Sequence, residues 1–264
     1  MKLYLKILSN SFKTMSSFRF DYIINIMFSL TFLTVQVYTW KALFAYGVNV
    51  NGNVDLNGMI AYSIIGMATS SVTSSGIMKE INAMVLSGEI GHRLLLPVNF
   101  KRHFLYTNVS QNIFNTLYNC FPQLLIGILI FHLNFDFRFL NLPLFIISLI
   151  LGFFINFYFN FIMGLTVFWL KNSYFLGCMT SAVTTLFSGR TVPLWFFPSW
   201  LLGISVFLPF RYIIFEPTSI LLGVNSYMES GRTILIQILW ILILYILSEV
   251  VWKSAQKIVF AQGG

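Results

Sequence analysis

Two groups of polar side chains stand out in this apolar chain, and the first is a charged segment from Lys79 to Arg102. Its ionisable members are Lys79, Glu80, Glu89, His92, Arg93, Lys101 and Arg102. We expect Gly88 and Gly91 to break any helix here, and Pro97 to impose a bend because proline has no backbone N–H to donate. Such charges can bind a soluble partner through ion pairs. A solvated connector that only sets orientation is the alternative.

The second group is a row of amides in the hydrophobic stretch that follows. Steps of four, three, four and four residues separate Asn108, Asn112, Asn115, Asn119 and Gln123. This spacing places the amides on one face of a helix, which Pro122 is expected to kink. Such a row is too polar to face lipid. It therefore forms hydrogen bonds to other helices, or it lines a substrate path.

Motifs for covalent or metal chemistry are absent from the sequence. It contains no phosphate-binding GxxxxGK[ST] loop, no HExxH, no GxSxG and no Cys/His cluster. His92, His103 and His132 are not spaced as metal ligands on one helix face. Cys120 and Cys178 fall within apolar stretches, as small buried hydrophobes do. We therefore predict no catalytic site, no metal site and no cofactor bound by this chain.

The composition identifies an integral membrane protein. Hydrophobic residues make up 57% of the chain and charged residues only 9%, against roughly 25% charged residues in soluble proteins. Stretches long enough to cross a bilayer cover roughly residues 21–46, 57–78, 104–132, 142–170, 174–190 and 233–252. The sequence thus predicts an all-α fold with six transmembrane helices in a single domain, residues 1–264. Any ATP-binding domain must then belong to another chain.

The net charge of +8 reflects membrane topology rather than binding of nucleic acid. With the first loop placed outside, eleven lysines and arginines fall on the inner side and five on the outer side. Because cytoplasmic loops hold the excess of positive charge, both termini are expected in the cytoplasm. The carboxylates avoid the middle of the hydrophobic stretches, which argues against a proton- or sodium-coupled carrier. Any energy that the protein uses must then enter from elsewhere.

Two segments are expected to lie at the membrane without crossing it. Residues 1–18 project as an amphipathic helix with its lysines on one half, suited to the cytoplasmic interface. Residues 191–230 are apolar but interrupted by prolines, so we expect short helices that enter the outer leaflet and return. These prolines are Pro193, Pro198, Pro209 and Pro217. Arg211 and Glu216 are close enough to pair there, although an unpaired arginine that reaches the interface is the alternative.

Two further patterns predict contacts along helix faces. In the second span Gly66, Ser70 and Ser74 recur every fourth residue, and such small side chains let another backbone approach closely. At the inner end of the last span, Glu249 and Lys253 stand four residues apart. An exposed pair at that spacing stabilises a helix by roughly 0.2–0.5 kcal/mol.

The order of these parts resembles the membrane subunit of a type 2 ATP-binding cassette (ABC) exporter over the whole chain. That family has an interfacial helix, six spans, a charged cytoplasmic loop between spans two and three, and a re-entrant hairpin between spans five and six. The family's G-E-I … L-L-R-P segment is similar to Gly88, Glu89, Ile90, Leu94, Leu95, Leu96 and Pro97. Its outer-hairpin signature is similar to Ser188, Gly189, Pro193, Phe197, Pro198, Leu208, Pro209, Phe210, Pro217, Leu222 and Gly223. Two departures are Leu96, where the family often has arginine, and Arg190, at a position that is more often apolar.

The resemblance implies the partners of such a chain. Two half-permeases, identical or related, would pair around a central path, with spans one, two and five facing the second permease. Two cytoplasmic ATPase subunits would bind ATP and Mg²⁺ and contact a coupling region at residues 79–103. The ATPase-coupling residues would be Lys79, Glu80, Glu89, His92 and Arg93.

The remaining site residues predicted from the sequence form two sets. The translocation path or the bundle interior would contain Gly66, Ser70, Ser74, Asn108, Asn112, Asn115 and Asn119. The outer hairpin would contain Pro193, Pro198, Pro209, Arg211 and Glu216.

We therefore predict a multi-pass protein of the cytoplasmic (inner) membrane that exports an amphiphilic substrate and has no catalytic site of its own. The aromatic, weakly charged composition favours a drug, a lipid-linked molecule or a hydrophobic peptide over ions and sugars. A channel, secondary carrier or scaffold that is not driven by ATP is the alternative.

Overall fold

The computed structural model describes residues 19–47, 54–94, 99–131, 139–170 and 174–262, and these residues form helices without any β-strand. The α-helices are α1 (Arg19–Ala45), α2 (Leu56–Thr73), α3 (Ile77–Leu86), α4 (Glu89–Leu94), α5 (Phe100–Asn115), α6 (Phe121–Phe131), α7 (Leu142–Leu165), α8 (Tyr174–Phe187), α9 (Ser199–Val206), α10 (Phe215–Leu222) and α11 (Tyr227–Gln262). The all-α prediction is confirmed for this part of the chain. The predicted interfacial helix at residues 1–18 and the predicted bend at Pro97 lie outside the described residues.

Four helices in the described ranges are long and apolar enough to cross a membrane. They are Ile23–Ala45, Phe100–Phe131, Leu142–Phe168 and Tyr227–Ile258. These helices coincide with the first, third, fourth and sixth predicted spans. The other two helices, α2 and α8, contain 18 and 14 residues and are rich in serine and threonine. Crossing by all six spans therefore stays a prediction.

Two helices, α2 and α7, lie at the centre of the bundle. Helix α7 packs against α11, α3 and α10, and helix α2 packs against α1, α10 and α6. Twelve of the 18 residues of α2 are buried within this chain. Gly66 faces Ile214 and Thr218 beside α10. Gly66 therefore packs against residues of its own chain, whereas the resemblance implied that this helix faces a second permease.

The second predicted span ends five residues earlier than residue 78. Helix α2 ends at Thr73, and Ser74 is extended with ψ 149°. The side-chain amide of Asn156 on α7 donates to the Thr73 carbonyl over 2.7 Å. A helix leaves its last carbonyls without partners, and this contact satisfies one of them.

The charged segment is more helical than its glycines predict. Gly88 has φ +74° and separates α3 from α4, as expected, but Gly91 lies within α4, so its prediction as a helix breaker was wrong. Helix α3 buries Ile77, Met78, Ile81 and Met84. This apolar face packs on α7 and stabilises the helix, and such burial outweighs local propensity.

The third span begins at Phe100, earlier than predicted, because Asn99 caps it by accepting a 3.1 Å hydrogen bond from the Arg102 backbone N–H. A π-helical turn at Thr116–Cys120 interrupts the span two residues before Pro122.

The last helix also begins before the predicted residue 233. Ser226 and Glu229 cap its start reciprocally, through the backbone N–H of each.

Candidate functional site

Helices α3 and α4 form a surface that is firmly attached to the bundle. On their buried side, Ile81, Met84 and Ile90 join one apolar cluster with Phe157 and Phe161 of α7. The same cluster includes Phe100 and Phe104 of α5 and Trp252 of α11. Helix α7 packs directly on α3, and α5 and α11 contribute to the same apolar cluster. A displacement of α3 would therefore be transmitted through this cluster.

The opposite side of α3 and α4 is open to solvent. Lys79, Glu89 and Leu86 are exposed, and Leu86 reaches 68% exposure at the end of α3. We call Lys79, Leu86 and Glu89 the coupling surface, after the role that the sequence resemblance implies for this segment. A lone exposed leucine is common on protein surfaces, so its exposure leaves these three residues accessible to a partner without by itself identifying one.

Two other predicted coupling residues are turned partly inward. Arg93 Nη1 lies 2.9 Å from His103 Nε2, so its guanidinium contacts α5 of the same chain. Glu80 is half-buried. Burial raises the pKa of Glu80, and the positive charge of Arg93 partly offsets that rise. The backbone of His92 lies in α4.

The amide row of the third span meets the break between α2 and α3. Ser74 donates to Asn112 Oδ1 and accepts from Asn115 Nδ2, each over 3.3 Å. Asn119 donates to Asn115 Oδ1 over 3.3 Å. Because Asn156 holds Thr73 at the same break, α5 and α7 both fix the point at which α2 gives way to α3.

The two ends of the amide row have different neighbours. Gln123 accepts a 3.3 Å hydrogen bond from Ser71 on α2. Asn108 is fully buried and lies 3.5 Å from Gln111 on its own helix. These amides thus contact neighbouring residues of the bundle, and the lining of a path by them stays a prediction.

A polar cavity of about 230 Å³ lies between α2, α7 and α8. Its polar lining consists of Ser70, Thr73, Ser74, Ser75, Asn156, Asn160, Thr180, Ser181, Thr184, Thr185, Ser188 and Arg190. Ile213 and Ile214 form its apolar side. Two residues that the sequence singled out, Ser70 and Ser74, are thereby brought to the same cavity. This volume is many times the roughly 10–15 Å³ that one water molecule needs.

The contribution of α8 to this cavity was missed from the sequence. Thr180, Thr184 and Ser188 follow each other at four-residue steps, which is the spacing of one helix face. Ser181 and Thr185 widen that face by one residue. This hydroxyl pattern was the signal that could have identified α8 as the wall of a polar site.

The predicted pair at the outer hairpin is present. Arg211 Nε donates to Glu216 Oε1 over 2.9 Å, and Asn225 and Thr233 donate to Glu216 Oε2 over 3.2 and 3.1 Å. Glu216 is buried, so these partners offset the cost of removing its charge from water. Glu216 on α10 therefore links the turn that contains Arg211 to Thr233 near the start of α11.

The prolines of this region stand at helix starts, where a backbone N–H is not needed. Pro193 precedes a 3₁₀ turn at Leu194–Phe196, and Pro198 precedes α9. Pro209 precedes a second 3₁₀ turn at Phe210–Tyr212. Residues 191–222 thus contain only short helices, as the prolines predicted.

The second ion pair in the described ranges differs from the predicted one. Glu249 Oε1 accepts from Lys101 Nζ over 2.8 Å, whereas the sequence paired Glu249 with Lys253. Lys101 Nζ also lies 4.1 Å from the ring centroid of Tyr245 and 5.1 Å from that of Tyr158. Tertiary packing brings Lys101 to α11, which sequence spacing along one helix does not reveal.

In the part of the chain that the structure describes, no three His, Cys, Asp or Glu side chains are grouped to hold a metal ion. The fold defines a helical membrane protein, with an exposed surface on α3 and α4 and a polar cavity between its helices.

The chain belongs to the ABC-2 family transporter proteins, whose family model matches residues 23–263. The resemblance to the membrane permease of a type 2 ABC transporter is thereby confirmed. Membership makes the chain a membrane transport subunit and implies an ABC ATPase as its partner. No curated protein matches the chain.

Proposed function

We propose that this chain is the permease subunit of an ATP-driven exporter that moves an amphiphilic substrate out of the cytoplasm. The observation that supports this most is the family match over residues 23–263, combined with an exposed surface on α3 and α4. The energy would come from a separate ATPase that binds ATP and Mg²⁺. The chain would lie in the cytoplasmic membrane with both termini inside, six spans, and a re-entrant outer region at residues 191–230.

The coupling surface is the proposed contact with the ATPase. Lys79 and Glu89 would form ion pairs with it, and Leu86 would supply an apolar anchor at the centre. Movement of α3 on closure of an ATPase dimer would displace α5, α7 and α11, because they share one apolar cluster with it. Packed cores switch between discrete arrangements, so this contact can change access to the polar cavity.

A second permease, a further copy or a related chain, would pack beside α8. Half of the residues of α8 are exposed in this chain, and they include the large apolar side chains of Tyr174, Phe175 and Met179. A second subunit there would place the polar cavity near the interface between the two permeases. The translocation path would then include Ser70, Ser74 and the hydroxyl face of α8.

The proposal is tested by purifying the tagged chain from native membranes in mild detergent and measuring the amount of ATPase that co-purifies. Lys79→Glu and Glu89→Lys should each reduce the recovered ATPase about tenfold, as expected for the loss of interface charge pairs. Lys41→Glu reverses an exposed lysine on α1, outside the coupling surface, and should leave the recovery unchanged. Recovery of the chain without any ATPase would contradict ATP coupling and favour a channel, carrier or scaffold.

A further inference from the structure

We propose that the polar cavity binds the anionic headgroup, a phosphate or carboxylate, of the exported amphiphile, with Arg190 as the cation that recognises it. This inference rests on the proposed export function and adds the charge class of the substrate. Arg190 lies in the cavity lining immediately after the Ser188–Gly189 turn.

Arg190 is a cation without a counter-charge in the described part of the chain. The ion pairs formed there join Lys101 to Glu249 and Arg211 to Glu216, and Arg190 has no ion pair or hydrogen bond to any described residue. No carboxylate is among the cavity residues. Arg190 is exposed in this chain while it also lines the cavity, so its guanidinium is accessible to a ligand that enters there. A cation at a polar cavity between helices is suited to recognise the negative charge of a substrate.

The backbone next to Arg190 is held in place on both sides of the cavity. The Gly189 carbonyl accepts a 2.8 Å hydrogen bond from the Tyr62 hydroxyl on α2. The Ser188 carbonyl accepts a 3.0 Å hydrogen bond from the Phe215 N–H at the start of α10. These contacts fix the backbone from which the Arg190 side chain extends, so the side chain and not the backbone must be ordered when a ligand binds.

The cavity also contains hydroxyl groups that lack partners. Thr184 Oγ1 and Ser75 Oγ are buried, and neither forms a hydrogen bond with the described residues. A buried hydroxyl without a partner destabilises the protein, and a ligand rich in acceptor oxygens would remove that cost. Hydroxyl donors and a guanidinium in the lining of one cavity can together supply the hydrogen bonds that a phosphate or carboxylate accepts.

A second hollow shares two residues with the polar cavity and suits the apolar part of an amphiphile. It is lined by Ser181 and Thr185, which also line the polar cavity, and by Ala182, Leu186, Thr191 and Val192. A headgroup at Arg190 could therefore continue into an apolar tail along α8. The cation excludes positively charged headgroups, so the two hollows together specify an anionic amphiphile.

The test measures saturable binding of radiolabelled dodecyl phosphate to the purified full-length chain in dodecyl maltoside, by scintillation proximity. Arg190→Gln should weaken binding about tenfold or more, because a charge-assisted hydrogen bond is lost. Arg190→Lys should retain part of the affinity. Arg232→Gln removes an exposed arginine of α11, away from the cavity, and should bind as the unmodified chain does. Unchanged binding by folded Arg190→Gln would overturn the proposal.

If Arg190→Gln does not fold, Thr184→Val tests the anion site instead, because it removes one cavity hydroxyl with little change of side-chain shape. Weaker binding supports the site, and unchanged binding overturns it. Competitors then identify the source of the anion. If inorganic phosphate displaces the radiolabelled dodecyl phosphate, the site binds the free anion. If unlabelled dodecyl phosphate displaces it and inorganic phosphate does not, the site binds the headgroup of an amphiphile. Equal displacement by dodecyltrimethylammonium would overturn an anion site.

The binding assay contains no ATPase, so its result is independent of ATP coupling. Loss of co-purifying ATPase with intact dodecyl phosphate binding would contradict only the proposed function. If the ATPase still co-purifies, and Arg190→Gln and Thr184→Val leave dodecyl phosphate binding unchanged, only the proposed anion site is contradicted.

Discussion

Lys101 and Glu249 join the start of α5 to α11 through a 2.8 Å contact between ammonium and carboxylate. Lys101 is buried beneath the rings of Tyr158 and Tyr245, whereas Glu249 remains partly exposed. Because α5 follows directly after the region that contains the coupling surface, this pair ties that region to the last helix. We therefore expect the start of α5 and the part of α11 around Glu249 to move as one body.

Replacing the cation of this pair should destabilise the chain. Lys101→Met leaves Glu249 without its partner, at an expected cost of about 1–3 kcal/mol, reduced from the value for a fully buried pair because Glu249 is partly exposed. The measurement is the apparent Tm of the purified chain, followed by tryptophan fluorescence. Lys253→Met, at the partner that sequence spacing predicted for Glu249, should change the Tm little. A larger effect of Lys253→Met than of Lys101→Met would disprove the assignment.

The close contact between α7 and α3 should depend on Gly164. A Cβ at this position would lie 2.9 Å from Ile81 Cδ1 and 3.2 Å from the Met78 Cα. Gly164→Ala should therefore displace α3, lower the stability by about 1–3 kcal/mol and reduce the co-purifying ATPase. The matched control is Gly177→Ala, where the nearest atom is the flexible Met78 Cε at 3.8 Å. Normal ATPase recovery with Gly164→Ala would show that α3 does not need this contact.

Gly189 should be required for two separate reasons. Its φ of +74° is unfavourable for other residues, and an added Cβ would lie 2.8 Å from the Tyr62 hydroxyl oxygen. Gly47 has a similar φ of +77° but no atom within 4 Å of an added Cβ. We expect Gly47→Ala to cost about 1 kcal/mol from backbone strain alone, and Gly189→Ala to cost at least about 2 kcal/mol because strain and crowding add. Equal changes in Tm would rule out the crowding contribution.

The stability contributed at Glu80 should vary with pH. Burial raises its pKa above the ordinary value of 4.5, so the folded state binds the proton more tightly than the unfolded state. Ionised Glu80 then costs stability above the raised pKa, and the cost vanishes below about 4.5, where both states are protonated.

Accordingly, Glu80→Gln should have a higher Tm than the unmodified chain at about pH 8. This difference in Tm should shrink as the pH falls towards 4.5. Glu89→Gln, at an exposed carboxylate, serves as the control and should show no such trend. A Tm difference for Glu80→Gln that grows as the pH falls would contradict this interpretation.

The sequence was informative where neighbours in the chain decide the structure. Apolar stretches located the four longest helices, prolines located the starts of the short helices after α8, and Arg211 was paired with Glu216 five residues away. In each case the signal lies within one turn or one span, so composition and spacing suffice.

The remaining features depend on packing between distant segments. Lys101 and Glu249 are 148 residues apart, and the contact of Asn156 with Thr73 joins residues 83 apart. Gly91 was predicted to break a helix, yet burial of Ile90 beside it against α7 stabilises α4. The polar cavity likewise combines residues of three helices. Ser70 with Ser74, and the hydroxyl residues of α8, each had a four-residue spacing in the sequence, but spacing along one helix does not show that these walls meet.

Site-specific crosslinking from the coupling surface tests most directly whether α3 and α4 contact an ATPase. A single cysteine would be introduced as Leu86→Cys in a chain whose Cys120 and Cys178 are replaced by serine, and crosslinked in native membranes. We predict a crosslink to an ABC ATPase identified by mass spectrometry, and none from Lys41→Cys on α1. No ATPase adduct from Leu86→Cys, or an equal yield from Lys41→Cys, would contradict docking at this surface.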